Sequence, residues 1–248
     1  MGDYQFLGEG NTAKIYRLED KIVKVYNEHL PEFEASYEAR KQQIAYDCGL
    51  FVPKPLEVTK INNRQALVME YIEGKTLGEL IFERLEEAEY YINLSVDLQL
   101  EIHKHQVDKL ELMSTKLKRQ IEAVNILEES IKIKLIKKLE SIHYEPKLCH
   151  GDFHLFNCVM NNQNKGCVID WIDASAGDVR ADVYRTYLLY AQNYQELANL
   201  YLDSYCKKSG LEQEEIIQWA PIIAGARIAE NVTSENINRL LMIVKENI

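Results

Sequence analysis

The chain has 248 residues, of which 46% are hydrophobic and 27% are charged, and its formal net charge is −10. This balance is typical of globular proteins and excludes a disordered chain, while the negative charge argues against non-specific binding of nucleic acid, which needs a cationic surface. The length suits one large domain or two small lobes around one cleft.

We expect no N-terminal signal peptide and no membrane-spanning helix. Charged and polar residues begin at Asp3, and no apolar stretch approaches the roughly 20 residues that a membrane-spanning helix needs. The five cysteines show no Cys-x-x-Cys spacing, which is typical of reduced thiols in the cytoplasm. We therefore expect a cytoplasmic protein that does not bind membranes.

Three of the cysteines, Cys149, Cys158 and Cys167, fall in stretches that we predict to be neighbouring short strands. A metal site formed by their thiols is one interpretation. The other is that each thiol is a small apolar side chain buried in the core.

The first part of the chain predicts a small antiparallel sheet with one helix. Alternating apolar residues and turn signals indicate strands at 4–7, 13–18, 22–26, 56–60 and 65–69 and a helix at 31–48. Gly8, Gly10 and Thr12 lie in the first predicted turn, where glycines would let backbone N–H groups approach a phosphate chain. A plain hairpin turn is the alternative interpretation of this loop.

Lys24 lies inside the third predicted strand, among β-branched residues. Strand alternation places it on one face with Ile22 and leaves Val23 and Val25 on the other face. The lysine either faces solvent or reaches into a cleft, where its ammonium would contact two phosphates. Glu34 and Glu38 lie one turn apart on the predicted helix, and either carboxylate could pair with Lys24.

An extended, partly polar segment at 70–74 follows the last of these strands and predicts a linker whose free backbone edge could pair with an adenine ring. Thr76 and Glu79 then have the spacing of a capping box, which starts a helical region. Further helices are predicted at 85–105, 114–129 and 131–143. His103 and His105 are two positions apart, so they diverge on a helix and we interpret them as ordinary side chains.

The stretch 149–160, CHGDFHLFNCVM, carries the chemistry. Asp152 is followed five positions later by Asn157, and a predicted hairpin of strands 158–160 and 166–169 ends at Asp170. Phosphoryl transfer from a nucleoside triphosphate needs one carboxylate for the attacking hydroxyl, and an amide oxygen with a second carboxylate for Mg²⁺. Asp152 fits the first role, and Asn157 with Asp170 the second. The alternative is that Asp152 and Asn157 only form turns.

The remainder predicts helices at 179–192, 194–209, 212–228 and 234–247. Asp178 is a candidate cap of the first of these helices. Asp182, one turn further on, is a candidate acceptor of hydrogen bonds from the loop around Asp152. Pro221 is expected to interrupt or begin a helix.

Taken in order, the chain resembles the aminoglycoside phosphotransferase and choline kinase-like family, which shares the protein-kinase fold. The resemblance covers residues 4–188. It is carried by V-M-E-Y-I-E-G at 68–74, H-G-D-F-H-L-F-N at 150–157 and V-I-D-W at 168–171. It implies an α+β, two-lobed protein-kinase-like fold. A nucleotide-binding lobe with a small antiparallel β-sheet and one helix would span 1–69, a hinge 70–75 and a larger, mostly helical lobe 76–248.

The resemblance also implies roles for individual residues. Asp152 is similar to the catalytic base, Asn157 and Asp170 to the Mg²⁺ ligands, Lys24 to the phosphate-contacting lysine and Glu38, rather than Glu34, to its partner. The remaining expected site residues are of two kinds. The nucleotide-binding residues are Gly8, Gly10, Thr12, Ile22, Met69, Glu70 and Ile72, and the structural residues behind the loop are His150 and Asp182.

The implied activity is transfer of the γ-phosphate of ATP or GTP to a hydroxyl of an aminoglycoside-like antibiotic or a related amine or sugar metabolite. Antibiotic resistance would then be one biological role. Gly151 and Trp171-Ile172 stand where protein kinases have Arg and Phe-Gly, which disfavours protein phosphorylation. Asp173 and Glu230 are candidate acceptor-binding acids.

Three other interpretations stay open: a choline- or homoserine-type metabolite kinase, a nucleotide-binding pseudokinase, and a structural helical protein. The expected partner is a small hydroxylated molecule, and the chain would be a monomer or a homodimer.

Overall fold

The computed structural model describes residues 4–10 and 12–248. The chain forms two compact units: unit 1 comprises Met1–Glu83 and Leu155–Asp173, and unit 2 comprises Arg84–His154 and Ala174–Ile248. Within the described part of the chain, none of the helices combines the length and the apolar character that a bilayer crossing needs. The division into a lobe, a hinge and a second lobe at residues 69 and 75 stays a prediction.

Unit 1 contains a five-stranded antiparallel sheet in the order β1-β2-β3-β5-β4. Its strands are β1 Gln5–Glu9, β2 Ala13–Leu18, β3 Lys21–Tyr26, β4 Pro55–Ile61 and β5 Arg64–Glu70. One helix, α1 Glu34–Asp47, packs on β4 and β5. The predicted sheet with a single helix is therefore confirmed, although β1 runs further than predicted, so that Gly8 lies in a strand rather than in the turn.

The two faces of this sheet differ as the alternation of β3 predicts. Tyr26 and Met69 lie in one apolar cluster, with Ile22 packed against it. Val23 and Val25 form a separate cluster with Ala66. Lys24 alternates with the valines, so its position in the strand places it on the face of Ile22 and Tyr26.

A second, three-stranded sheet of unit 1 has the order β6-β8-β9, with β6 Gly74–Thr76, β8 Cys158–Asn161 and β9 Gly166–Val168. The hairpin of β8 and β9 was predicted, but β6 was not. Gly74 is required where it lies, because a Cβ there would come within 2.0 Å of the carbonyl oxygen of Met160. Helix α2 Leu77–Glu83 follows β6, and Thr76 and Glu79 form the predicted reciprocal capping bonds.

Unit 2 is mostly helical. Its helices are α3 Ala88–His103, α4 Met113–Ala123, α5 Glu129–Ser141, α6 Val179–Ala191, α7 Gln195–Ser209, α8 Gln213–Ile217, α9 Ala220–Ile228 and α10 Ile237–Glu246. Two short strands, β7 Lys147–Cys149 and β10 Ser175–Gly177, pair antiparallel. The side chains buried most deeply in its core include Trp219, Tyr201, Tyr205 and Ile102.

Some predicted bounds in unit 2 were wrong. Helix α4 ends at Ala123 rather than at 129, because Val124 turns extended and the following loop buries Val124 and Leu127. Tertiary packing of that loop therefore overrides its local helical propensity. Pro221 lies in the first turn of α9, as expected, and Gln218 and Trp219 separate α8 from α9.

Candidate active site

The centre of unit 1 is the ammonium group of Lys24. Its Nζ donates hydrogen bonds to Oε1 of Glu38 at 2.7 Å and to Oδ1 of Asp170 at 2.9 Å. The side chain of Lys24 is only 7% exposed and that of Glu38 1%, whereas that of Asp170 is 42% exposed. The structure thus places Glu38, and not Glu34, against the lysine, and it leaves the Asp170 carboxylate accessible.

Burial and charge compete at this cluster. Burial alone would lower the pKa of Lys24, but Glu38 and Asp170 outweigh it and hold the pKa above its ordinary value. Burial raises the pKa of Glu38, and the charge of Lys24 opposes that rise. The Tyr26 hydroxyl donates a further hydrogen bond to Oε2 of Glu38 at 2.5 Å, so both carboxylate oxygens have partners.

Asn157 and Asp170 lie at the same end of the β8–β9 hairpin. Cys158 pairs with Val168, and the N–H of Ile169 donates to the backbone oxygen of Asn157 at 2.9 Å. Asp170 has a φ of 63°, in the left-handed region, which Asp tolerates better than most residues. Carboxylate and amide oxygens are the ligands that Mg²⁺ prefers, so this pair fits a magnesium ion.

The predicted glycine loop is partly described. The N–H of Gly10 donates to the carbonyl of Ala13, and the carbonyl of Thr12 accepts from Asn27. Asn11 lies outside the described residues. A Cβ on Gly8 would meet nothing within 4 Å, and one on Gly10 would only touch the Ala13 oxygen at 4.0 Å. No crowding by the described residues therefore excludes a side chain at either glycine.

The predicted hinge begins where β5 ends. Met69 is buried and pairs with Ile22 in the register of β3 and β5. The N–H groups of Glu70 and Tyr71 donate to the carbonyls of Lys54 and Asp20. The N–H of Ile72, in contrast, finds no acceptor among residues 4–10 and 12–248. The N–H of Ile72 is therefore a backbone donor that none of the described residues uses.

Asp152 belongs to unit 2 and is partly buried there, with 29% of its side chain exposed. Nε2 of His154 lies 3.6 Å from its Oδ2, and the guanidinium of Arg185 lies 3.4 Å from its Oδ1. Burial would raise the pKa of Asp152, but His154 and Arg185 lower it well below its usual range. The carboxylate is consequently ionised at neutral pH.

Asp182, on α6, holds the loop that carries Asp152. Its carboxylate accepts the backbone N–H groups of His150 and Gly151 at 3.2 and 2.7 Å, and Nε2 of His103 lies 3.0 Å away. Burial would raise the pKa of Asp182, but the bonds from His103 and Gly151 lower it to about 2. Gly151 has a φ of 83°, a conformation that favours glycine, so its position in the motif has a backbone reason. His150 is fully buried, and its Nδ1 accepts from the N–H of Asp152.

The two candidate acceptor acids lie in different units. Asp173 belongs to unit 1. Burial of Glu34 is the main cause of the raised pKa of that residue, and the negative charge of Asp173 raises it further. Glu230 belongs to unit 2, and its Oε2 pairs with both Arg185 and Arg227, while its Oε1 accepts from Gln120. Glu230 thus meets its counter-charges within the chain, and binding an amine would require it to exchange one of them.

Several residues of these clusters were missed by sequence reasoning. They are Tyr26 on Glu38, Lys41, which donates to the carbonyl of Ile172 just after Asp170, His103 on Asp182, and Arg185 beside Asp152. His103 is buried, and its ring contacts both Asp182 and Tyr205. A charged or aromatic residue in the interior of an apolar pattern was the available signal, but the pattern does not name the partner.

The three cysteines do not all lie on neighbouring strands of one sheet. Cys158 and Cys167 lie on the paired strands β8 and β9, but Cys149 lies on β7, which pairs with β10 in unit 2. In the described residues, Cys149 instead lies near His103 and Asp182, with possible ligand atoms within 4.8 Å of one another. The Asp182 carboxylate is already occupied by backbone and side-chain donors, so this group is a hydrogen-bonding centre rather than a metal site.

These features define a protein of the kinase-like fold. They are a five-stranded antiparallel sheet with one helix, a strand lysine bonded to a helix glutamate and to a later aspartate, and a mostly helical unit. The solved structures agree. A putative fructosamine-3-kinase from Haemophilus somnus 129PT has a TM-score of 0.70 at 12% identity and covers 99% of this chain and 90% of its own. The choline kinase LicA from Streptococcus pneumoniae has a TM-score of 0.69 at 16% identity and covers 98% and 93%.

An aminoglycoside phosphotransferase, APH(2'')-Ib with ADP bound, has a TM-score of 0.63 at 18% identity and covers 100% of this chain and 92% of its own. These identities are low, so the likeness shows the fold. A search of curated protein sequences finds no significant match. The profile of the phosphotransferase enzyme family (APH), however, matches residues 3–217. The chain belongs to this family, which confirms both the resemblance and the predicted fold class.

Proposed function

We propose that this protein transfers the γ-phosphate of ATP or GTP to a hydroxyl group of a small molecule. The observation that carries the proposal is the bridge in unit 1, where one buried ammonium group contacts both Glu38 and Asp170. Phosphoryl transfer needs a cation beside the phosphates and a carboxylate for the metal. Membership of the phosphotransferase enzyme family supports the same reaction.

Unit 1 would bind the nucleotide. The charge of Lys24, fixed by Glu38, would contact the phosphates, and the loop around Gly8, Gly10 and Thr12 could approach them because no described residue fills the space beside the two glycines. The unused N–H of Ile72 would donate to the purine, with Ile22, Met69 and Glu70 beside it. The ADP bound to the structurally similar APH(2'')-Ib supports a nucleotide as co-substrate.

Asn157 and Asp170 would hold Mg²⁺, since they offer hard oxygen ligands at one end of the hairpin and Asp170 is accessible. A bound Mg²⁺ would offset the negative charge of the phosphate oxygens. Lys24 adds a fixed positive charge next to Asp170, and this preorganised charge needs no rearrangement during the reaction.

Asp152 would orient the acceptor hydroxyl and receive its proton. Its lowered pKa keeps the carboxylate ionised at neutral pH, which is the state that a base requires. Asp182 would keep the loop of Asp152 in shape through the two backbone bonds at His150 and Gly151. All of these residues belong to unit 2.

The acceptor would be an aminoglycoside-like antibiotic or a related amine or sugar metabolite. The structurally similar proteins are named for aminoglycosides, choline and fructosamine, and each of these compounds carries a hydroxyl and an amine or quaternary ammonium group. The net charge of −10 favours a cationic acceptor over an anionic one. Asp173 is the candidate acid for the amine, and Glu230 could serve only by releasing Arg185 or Arg227.

The test is a screen of aminoglycosides, choline-like amines and sugars for nucleotide consumption, with the new phosphate located by NMR. On any acceptor found, Asp152→Asn should lower kcat by about 10²- to 10⁴-fold, the contribution of a general base, with little change in KM for ATP. Asp170→Ala should also weaken binding of Mg·ATP, because it removes a metal ligand.

Asp97→Asn is the matched control, since Asp97 is an exposed acid of unit 2 that pairs with Lys208. It should keep wild-type kcat and KM. Wild-type turnover by Asp152→Asn would show that another group is the base, and binding of Mg·ATP without turnover on any acceptor would favour a pseudokinase.

A further inference from the structure

A line of alternating charges runs through unit 2 and ends at Asp152. Each neighbour in the line is within ion-pair distance of the next. The members come from the loop after β7, from α6 and α9, from the loop between α9 and α10, and from α10. They are, in order, Asp152, Arg185, Glu230, Arg227, Glu235 and Arg239. The line contains three carboxylates and three guanidinium groups, so it is neutral as a whole.

Arg185 is the member that contacts Asp152, and it is the more deeply buried of the two. Its side chain is 7% exposed, against 29% for that of Asp152. A charge buried to this degree is costly unless it is paired, and here it is paired on both sides. The guanidinium therefore has a defined place in the fold, determined by α6 and by Glu230.

The two pairs of Arg185 are unequal. Its Nη2 lies 2.8 Å from Oε2 of Glu230 but 3.4 Å from Oδ1 of Asp152. Strong charge-assisted bonds between nitrogen and oxygen are about 2.7–2.9 Å long. Glu230 thus makes the strong bond, and Asp152 receives charge stabilisation and an orientation without being bound tightly. A carboxylate held in this way can still accept a hydrogen bond from another hydroxyl.

We propose that Arg185, held by Glu230, is a positioning residue that fixes the orientation of the Asp152 carboxylate and keeps it ionised. This inference rests on the proposed function, in which Asp152 receives the proton of the acceptor. Other groups that face Asp152 include His154, whose Nε2 lies 3.6 Å from Oδ2, and His150, whose Nδ1 accepts a hydrogen bond from the backbone N–H of Asp152. Arg185 therefore acts on the Oδ1 side and His154 on the Oδ2 side.

The experiment follows the Asp152 carboxyl by carbon NMR across the pH range in which the protein stays folded, with the resonance assigned from Asp152→Asn. In the wild type the carboxylate should stay ionised to the acid end of that range. In Arg185→Met it should take up a proton at a higher pH, because the positive charge beside its Oδ1 is gone. Arg239→Gln, at the far end of the line, removes the same charge and should titrate like the wild type.

Phosphate release from Mg·ATP, with water as the acceptor, gives the second readout. Arg185→Met should lower kcat by about 10- to 100-fold, as expected for a misplaced base, while KM for ATP stays unchanged. Arg185→Lys keeps the charge but not the planar guanidinium, so it should keep Asp152 ionised and recover only part of kcat. If Arg185→Met does not fold, the kcat of Arg185→Lys tests the positioning role of Arg185 instead.

The inference is overturned if Asp152 titrates alike in the wild type and in Arg185→Met. It is equally overturned if Arg239→Gln shifts the titration as much as Arg185→Met, or if the kcat of the lysine variant equals that of the wild type where the methionine variant does not fold. The titration does not depend on turnover. A wild type that releases no phosphate and phosphorylates no acceptor would count against the proposed function, and the NMR result would still decide the role of Arg185.

Discussion

Asp182 shows how much one buried carboxylate can organise. It accepts from two consecutive backbone N–H groups of the loop, from the amide of Gln99 and from the ring of His103. The ring of His103 in turn contacts the hydroxyl of Tyr205 at 2.6 Å. Because the carboxylate is fully buried, each of these bonds is shielded from solvent. Leaving one of the buried donors or acceptors without a hydrogen-bond partner would be costly.

The shifted pKa of Asp182 predicts a pH dependence of stability. Its pKa is about 2 in the folded protein against an ordinary value of 3.8, so the unfolded chain takes up the proton first. The stabilisation is therefore complete above about pH 4 and is lost as the pH falls towards 2, and it amounts to about 2 kcal/mol. Urea unfolding of the wild type and of Asp182→Asn at a series of pH values measures it.

The variant should be less stable at pH 7 by about 3 kcal/mol and should lose less stability on acidification. His103→Gln removes the ring donor to Asp182 and should also lower stability at pH 7, by a smaller amount. This variant replaces Asp182→Asn in the experiment if Asp182→Asn does not fold. Equal slopes of unfolding free energy against pH for the wild type and both variants would show that Asp182 is not the source of this pH dependence.

Helix α6 is the element on which unit 2 arranges its candidate site. It presents Asp182 to the loop one turn after its start and Arg185 to Asp152 nearly one turn later. Its beginning is defined by Asp178, whose buried carboxylate accepts from the N–H of Arg180 and pairs with the Arg180 side chain. A shift in where α6 begins would move both site residues together.

The cap therefore offers a test at the level of the helix. Asp178→Ala should cost about 1–2 kcal/mol of unfolding free energy, the usual effect of losing an N-cap, and should also lower phosphate release from Mg·ATP. Asn236→Ala is the matched control, since Asn236 caps α10 through the N–H of Arg239. It should cost about as much stability but leave turnover unchanged. Equal losses of turnover in both variants would mean that general destabilisation, and not the placement of α6, is responsible.

At the scale of the whole molecule, the chain passes between its two units three times, after Glu83, after His154 and after Asp173. The proposed nucleotide and metal residues Lys24, Glu38, Asn157 and Asp170 all fall in unit 1, and Asp152 falls in unit 2. The motif 150–157 is therefore divided, with its proposed base in one unit and its proposed amide ligand in the other.

This division predicts what a nucleotide does to stability. If unit 1 binds Mg·ATP or Mg·GTP, a concentration of 100 Kd should stabilise the folded protein by about 2.7 kcal/mol and raise Tm by about 5–10 °C. Lys24→Met should abolish most of the shift, and Asp97→Asn should keep it. The measurement is a thermal shift with each nucleotide, with and without Mg²⁺. No shift with either nucleotide would contradict nucleotide binding and favour a structural role.

Local sequence was enough for the elements and for the order of the motifs. The strands β1 to β5, the β8–β9 hairpin, the caps at Thr76 and Asp178 and the break at Pro221 all depend on residues that are close in the chain, so their signals are visible in a single sequence. The short strands β6 and β10 were not predicted, and β7, predicted as a neighbour of β8 and β9, pairs with β10 instead. Each of β6, β7 and β10 is three residues long and exists only because a partner strand lies beside it.

The sequence by itself determined the family, the kinase-like fold and the presence of Lys24, Asp152, Asn157 and Asp170 in the required order. Only the tertiary structure decided that Tyr26 also bonds Glu38 and that Arg185 lies beside Asp152. The physical reason is that periodicity gives the face of a helix or strand on which a side chain lies, whereas the partner on that face is set by packing between elements distant in sequence.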